Sequence, residues 1–100
     1  MNFPIACNLA GAEMKERRQT ILASFRGAVL AVVSLPLGYA YQFHSSPETL
    51  AFLRGLVDLE CQCCPFLAFS IGVETGDQLI SLEITGPAEA KALIADLFGS

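Results

Sequence analysis

The feature that most constrains the fold is a helical segment with clear start and stop signals, between Ser46 and Pro65. Ser46 is a residue type that caps helices, Pro47 suits the first helical turn, and Glu48 complements the positive end of the helix dipole. Pro65 ends the segment because the residue before a proline is pushed away from the helical conformation. We therefore predict a helix from Pro47 to about Cys63, lying between two pairs of strands.

Each strand pair is marked by apolar runs on both sides of a turn signal. The first run is rich in valine and leucine, which is typical of a buried strand, and the second alternates apolar and polar residues. The turn signals are Pro-Leu-Gly at residues 36–38 and Glu-Thr-Gly-Asp at residues 74–77. The four predicted strands cover residues 28–35, 39–44, 66–73 and 78–85.

Two more helices complete the predicted order of elements. One covers residues 12–26 and stops at Gly27, and the other starts at Gly86-Pro87 and runs to about Phe98. This order predicts an α+β fold in a single domain over residues 1–100, with an antiparallel sheet of four or five strands and helices mainly on one face. If residues 3–9 form an additional first strand, the first six elements are ferredoxin-like.

Composition favours a folded chain with a surplus of apolar surface. Apolar residues make up 53% and charged residues 16% of the 100 residues. A chain this short has little interior in which to bury them, so we expect a homodimer. The net charge of −4 comes without a basic patch, which argues against nucleic acid or an anionic membrane as partner.

The sequence predicts a cytoplasmic protein. The most apolar stretch, residues 28–41, is interrupted by Ser34, Pro36 and Gly38, whereas a membrane span needs roughly 20 apolar residues. The N-terminus lacks the basic region of a signal peptide. Thiols stay reduced in the cytoplasm, so the four cysteines are expected to be core residues, metal ligands or redox groups rather than a disulfide framework.

Two charged residues interrupt apolar helical faces. Arg18 lies on the face of the first helix that carries Leu22 and Phe25, and Glu60 lies between two apolar stripes of the second helix. Either charge alone would lose its hydration when that face is buried. We therefore predict that Arg18 and Glu60 pair, beside the cysteines that follow Glu60 in sequence.

The cysteines form the candidate site. Cys61 and Cys64 have a C-x-x-C spacing that allows two thiolates to share one soft metal ion such as zinc. A closed zinc site usually has four ligands, so Cys7, Cys63 or His44 would have to supply the others. The candidate ligands are thus Cys7, Cys61, Cys63 and Cys64, with Arg18, Glu60 and His44 as the surrounding shell.

Two other interpretations stay open. Cysteine packs well as a small apolar residue, so the thiols can be inert groups inside an interaction homodimer. Whether the protein is an enzyme is undecided. A thiol enzyme ranks last because these cysteines lie at a helix C-terminus, where the dipole disfavours a thiolate.

The motif around the cysteines also carries a resemblance. Glu-Cys-Gln-Cys-Cys-Pro-Phe at residues 60–66, with Leu-Glu-Ile-Thr-Gly-Pro at residues 82–87, resembles a family of small uncharacterised bacterial proteins. That family has an N-terminal Cys-x-Leu, matched here by residues 7–9, then a helical arginine, matched by Arg17 or Arg18, then Glu-x-x-Cys-Cys-x-Phe.

The resemblance implies heavy-metal or thiol chemistry, because members are sometimes found near mercury- or arsenic-resistance genes. The family usually has a residue other than cysteine at the position of Cys61, which shifts the implied site to Cys7, Cys63, Cys64 and Glu60. It also implies that Cys7 comes close to Cys63 or Cys64 in the fold. The function that we expect is binding of a soft metal ion or a thiol-reactive species.

Overall fold

The computed structural model describes residues 12–74 and 78–99, without the side chains of residues 12–15, 63 and 74. In chain order its elements are α1 (Ala12–Ala28), β1 (Ala31–Leu35), β2 (Gly38–His44), α2 (Pro47–Cys63), β3 (Ala68–Glu74), β4 (Leu79–Thr85), a short 3₁₀ turn (Ala88–Ala90) and α3 (Lys91–Phe98). The protein therefore has the predicted α+β fold. The predicted strand at residues 3–9 and most of the turn at 74–77 lie outside the described residues.

The four strands form one sheet in the order β1-β2-β4-β3, with every neighbouring pair antiparallel. The chain leaves β2, passes through α2 and returns as β3, and β4 fills the place between these two strands. In a ferredoxin-like sheet that place belongs to the first strand. The described strands thus have the ferredoxin-like layout with the first strand moved to the end of the chain.

The helices cover one face of this sheet. In β2 and β4, buried residues alternate with more exposed ones, as expected for strands with one face against the core. All three α-helices contribute to the same core as that buried face. Its largest apolar members are Phe25, Tyr41, Phe43, Leu53, Leu56, Ile80, Leu82, Ile84, Ile94 and Phe98.

An aromatic cluster holds α1 and α3 against β2. The ring of Phe25 lies 5.1 Å from that of Tyr41, 5.2 Å from Phe43 and 5.3 Å from Phe98, each pair in edge-to-face geometry. Such arrangements contribute beyond the apolar area that they bury. The predicted apolar face of α1 is confirmed here by Leu22 and Phe25, which are both buried.

Three predicted details need correction. Residues 28–35 were expected to form a buried strand, but β1 begins at Ala31 and is an exposed edge strand, since residues 27–28 continue α1. An apolar run indicates a strand but does not tell its place in the sheet. The third strand begins at Ala68 rather than residue 66, because residues 64–67 form a turn closed by the Leu67 amide and the Cys64 carbonyl.

Candidate functional site

The site is built on the buried face of α2. Ser46 caps this helix by accepting a hydrogen bond from the Thr49 amide at 3.0 Å, which confirms the predicted start. The helix then turns Leu53, Leu56 and Glu60 toward the sheet, at the spacing of three and four residues that one helical face requires. Glu60 is 0% exposed and is the one fully buried charged side chain among those that the structure describes.

Arg18 of α1 meets this carboxylate with two hydrogen bonds. Its Nε donates to Glu60 Oε2 at 2.8 Å, and its Nη2 donates to Glu60 Oε1 at 2.6 Å. The planar guanidinium matches the two carboxylate oxygens, which makes this the strongest form of an arginine–carboxylate pair. Arg18 keeps 12% of its side-chain surface exposed. The predicted pairing of Arg18 with Glu60 is confirmed.

Cys64 is fixed at the end of α2 by its own backbone. Its amide donates to the Glu60 carbonyl at 2.7 Å, and its carbonyl accepts from the Leu67 amide at 3.0 Å. Pro65 occupies the second position of the resulting turn, which proline favours because its φ angle is already set. The side chain of Cys64 is fully buried. Helix end and turn together hold its sulfur beside Glu60.

The sulfur of Cys64 completes a compact group with the ion pair. Arg18 Nη2 lies 3.7 Å from Cys64 Sγ, and Glu60 Oε1 lies 4.0 Å from the same sulfur. The same guanidinium nitrogen therefore faces a carboxylate oxygen and a sulfur atom. A cation at this position favours negative charge on the sulfur, and the carboxylate holds that cation in place.

Cys64 is disulfide-bonded, which differs from the expectation that the thiols are reduced. The second sulfur lies outside the described side chains, so the predicted approach of Cys7 to Cys63 or Cys64 falls outside them too. A disulfide sulfur carries neither proton nor charge. Arg18 therefore contacts a neutral sulfur in this state, and its charge is balanced by Glu60.

The structure does not bring every predicted residue into this group. Cys61 is a free thiol with an exposed side chain, whereas Cys64, three residues later, is buried. His44 is exposed at the end of β2 that leads into the start of α2. It is separated from Cys64 by the length of that helix, about 25 Å for 17 residues. Within residues 12–74 and 78–99, three or more potential metal-ligating side chains do not cluster.

A groove next to Arg17 was not predicted from the sequence. It has a volume of about 380 Å³ and runs between α1 and α2. Most of its lining side chains are apolar, and Arg17 and Gln62 are the polar ones. Its lining includes Ala51 and Gly55, two small residues four positions apart on α2. That spacing of small residues on one helical face is the signal that would have indicated a groove.

Comparisons with known proteins give no match, so the functional proposal is based on the contacts of Arg18, Glu60 and Cys64. The chain matches no protein-family model, no curated protein and no solved structure. As for membrane insertion, the helices within the described ranges are all too short or too polar to cross a bilayer.

Proposed function

We propose that this protein binds a soft metal ion, or reacts with a thiol-reactive species, through a reducible pair of cysteines that includes Cys64. The observation that carries the proposal is the disulfide of Cys64 beside the Arg18–Glu60 pair. A disulfide requires two sulfurs within bonding distance. Its reduction therefore leaves two thiols at one position, and paired thiolates are the ligands that soft ions prefer.

Arg18 favours a thiolate at Cys64, which the end of the helix disfavours. The C-terminal end of a helix disfavours a thiolate, because the last carbonyl groups carry partial negative charge. The guanidinium nitrogen 3.7 Å from Cys64 Sγ offsets this effect. Glu60 positions the guanidinium through its two hydrogen bonds, so both residues support the sulfur without being metal ligands.

We further propose Cys7 as the second cysteine of the pair. Cys61 is a free thiol. A bridge between the adjacent residues Cys63 and Cys64 would be strained, because neighbouring Cα atoms lie about 3.8 Å apart and unstrained disulfides span roughly 4.4–6.8 Å. The resemblance described above also pairs an N-terminal Cys-x-Leu with the Cys-Cys motif. Peptide mapping of the unreduced protein by mass spectrometry should find a peptide joining Cys7 to Cys64.

The metal proposal is tested by titrating reduced protein. A small dithiol reduces the disulfide and becomes a disulfide itself, leaving two thiols that release protons when a metal ion binds. After the reductant has been removed without air, Zn²⁺, Cu(I) and Hg²⁺ are added in turn. Binding is followed by proton release and by thiolate–metal absorbance. We expect reduced protein to bind a soft ion and oxidised protein to bind none.

Two serine variants make the test specific. Cys64→Ser should abolish soft-ion binding, whereas Cys61→Ser, the matched control at the exposed thiol, should retain it. Retained binding in Cys64→Ser would place the site elsewhere, and loss in Cys61→Ser would restore the C-x-x-C pair as the ligand set. Elemental analysis of protein purified under reducing conditions identifies an ion that is carried from the cell.

The second candidate is an interaction homodimer in which the cysteines are structural. Complete burial of Cys64 favours it, because a metal ion or reagent would have to reach a sulfur that solvent does not contact. In that case reduction should lower the free energy of unfolding, and no soft ion should bind. With either function we propose a homodimer in the cytoplasm that does not bind nucleic acid.

A further inference from the structure

We infer that a second copy of this chain docks on the outer edge of β1, so that two four-stranded sheets join into one. This inference does not depend on metal binding. Five large apolar side chains of the described part of the chain are exposed, and four of them belong to β1 and its two flanks. These four are Leu30, Val32, Val33 and Leu37.

The strand itself has the composition of a buried strand. Ala31–Leu35 contains only alanine, valine, serine and leucine, and no charged residue occurs anywhere from Gly27 to Phe43. Yet β1 is the first strand of the sheet order, so one of its two edges has no neighbouring strand among the described residues. Exposed edges in monomeric proteins usually carry charges, prolines or bulges that prevent pairing.

From Ala31 to Leu35, β1 contains no charge, proline or bulge. Its five residues pair in unbroken register with β2, and Pro36 comes only after the strand has ended. Lys91 reaches this strand, but its ammonium group is held by Ser34 Oγ at 2.8 Å and the Leu35 carbonyl at 2.7 Å. The strand therefore has no charge, proline or bulge of its own that would prevent another strand from pairing with it.

A copy of the same strand is the occupant that fits. Antiparallel pairing about a two-fold axis at Val33 places that residue opposite its own copy, and an uncharged strand meets no repulsion from itself. The same register places Leu35 of one copy opposite Ala31 of the other, so that a large side chain lies beside a small one. Val29 lines an open cavity of about 460 Å³ together with Leu30, Val32 and Phe98.

The size of this contact also favours a two-fold dimer. A stable interface buries more than about 1,000 Å² in total, which pairing of two five-residue strands alone does not reach. The exposed side chains that flank the strand, Leu30 and Leu37, occur twice in a two-fold arrangement and extend the interface beyond the paired strands. Pairing of β1 with the opposite edge strand β3 would instead be head-to-tail and would produce rings or open filaments.

The test is the mass of the protein in solution, with a matched pair of variants. Light scattering of wild-type protein at micromolar concentration should give about twice the chain mass of 10.7 kDa. Val33→Lys places two ammonium groups opposite each other and should weaken self-association by about tenfold or more. Val73→Lys makes the same change at an exposed valine of β3, on the other edge of the sheet, and should leave the dimer intact.

A second measurement covers the case in which Val33→Lys does not fold. Val33→Cys in a background with both Cys61→Ser and Cys63→Ser should form a symmetric disulfide-linked dimer on mild oxidation, and Val73→Cys in the same background should not. A wild-type monomer at about 100 µM, far above the dissociation constants of stable dimers, would overturn the inference. Dissociation by Val73→Lys but not by Val33→Lys would overturn it too, as would species that grow beyond dimers with concentration.

Discussion

One face of α1 contacts two regions of the core that have opposite chemistry. Arg18 lies at one of them, beside the fully buried carboxylate of Glu60, and Phe25 lies at the other, in contact with three aromatic rings. Seven residues, or about 10 Å along the helix, separate the two positions. The same helix thus anchors an ionic region and an aromatic region.

The difference concerns what each region contributes to stability. Burying aromatic surface stabilises the fold in proportion to area, with an additional contribution from edge-to-face contacts. A buried ion pair roughly breaks even, since its attraction offsets the loss of hydration. An apolar pair could therefore stabilise the fold about as well as this ion pair does. The geometry of the ion pair is better explained by the contact between Arg18 and the Cys64 sulfur.

The largest expected effect is in the aromatic region. Phe25→Ala removes the ring at the centre of the cluster and leaves a cavity that the surrounding rings cannot fill, so we expect a loss of about 4 kcal/mol in the free energy of unfolding. Urea denaturation followed by circular dichroism measures it. Phe25→Leu, which keeps most of the volume, should lose less than half as much. Equal losses in both variants would show that ring contacts, rather than volume, dominate.

The ionic region should respond asymmetrically. Arg18→Met leaves a carboxylate with no exposure and no cation, whereas Glu60→Gln leaves a guanidinium that still reaches solvent. Breaking a buried pair from one side costs roughly 3–5 kcal/mol, so we expect about 3 kcal/mol or more for Arg18→Met and a smaller loss for Glu60→Gln. The same denaturation experiment measures both variants.

The double variant decides whether the two residues act as a pair. Arg18→Met combined with Glu60→Gln removes both charges, so its loss should be clearly smaller than the sum of the single losses. Losses that are small and add without coupling would mean that solvent already screens both charges. The contrast between the two regions would then disappear.

The sequence predicted the aromatic and ionic regions by different routes. Leu22 and Phe25 follow the helical period, so their burial could be inferred locally, as could the span of α2 from its cap at Ser46 and from Pro65. The Arg18–Glu60 pair could be inferred because each charge interrupts an apolar face. A buried charge needs a partner, and each of these two is the most economical partner for the other, although they lie 42 positions apart.

What the sequence could not predict depends on the order of strands. The central position of β4 and the exposed edge of β1 follow from pairings between distant segments, which local apolar patterns do not encode. The disulfide of Cys64 depends in the same way on a second sulfur being brought close in space. His44 was associated with the cysteines by residue type alone, and the sheet places it at the far end of α2.

The smallest effect that we predict concerns the Tyr41 hydroxyl, a polar group within the aromatic cluster. The Tyr41 hydroxyl donates to the Gly99 carbonyl at 2.7 Å, and burial, with a smaller contribution from Tyr39, raises the pKa of Tyr41 well above its ordinary value of 10.0. Tyr41→Phe removes this hydrogen bond and should cost about 1 kcal/mol near neutral pH. The polar group in this region is therefore neutral, in contrast to the charges around Glu60.

The sign of the pH dependence follows from the raised pKa. Above about pH 10 the unfolded chain loses the tyrosine proton while the folded chain keeps it, so the stabilisation is complete below that pH and declines as the pH rises further. Tyr41→Phe lacks this proton and should lose less stability than wild type between about pH 9 and pH 11. Urea midpoints across that range measure the difference. Parallel curves for wild type and Tyr41→Phe would mean that water reaches the hydroxyl, and the aromatic region would then be less dry than the carboxylate of Glu60.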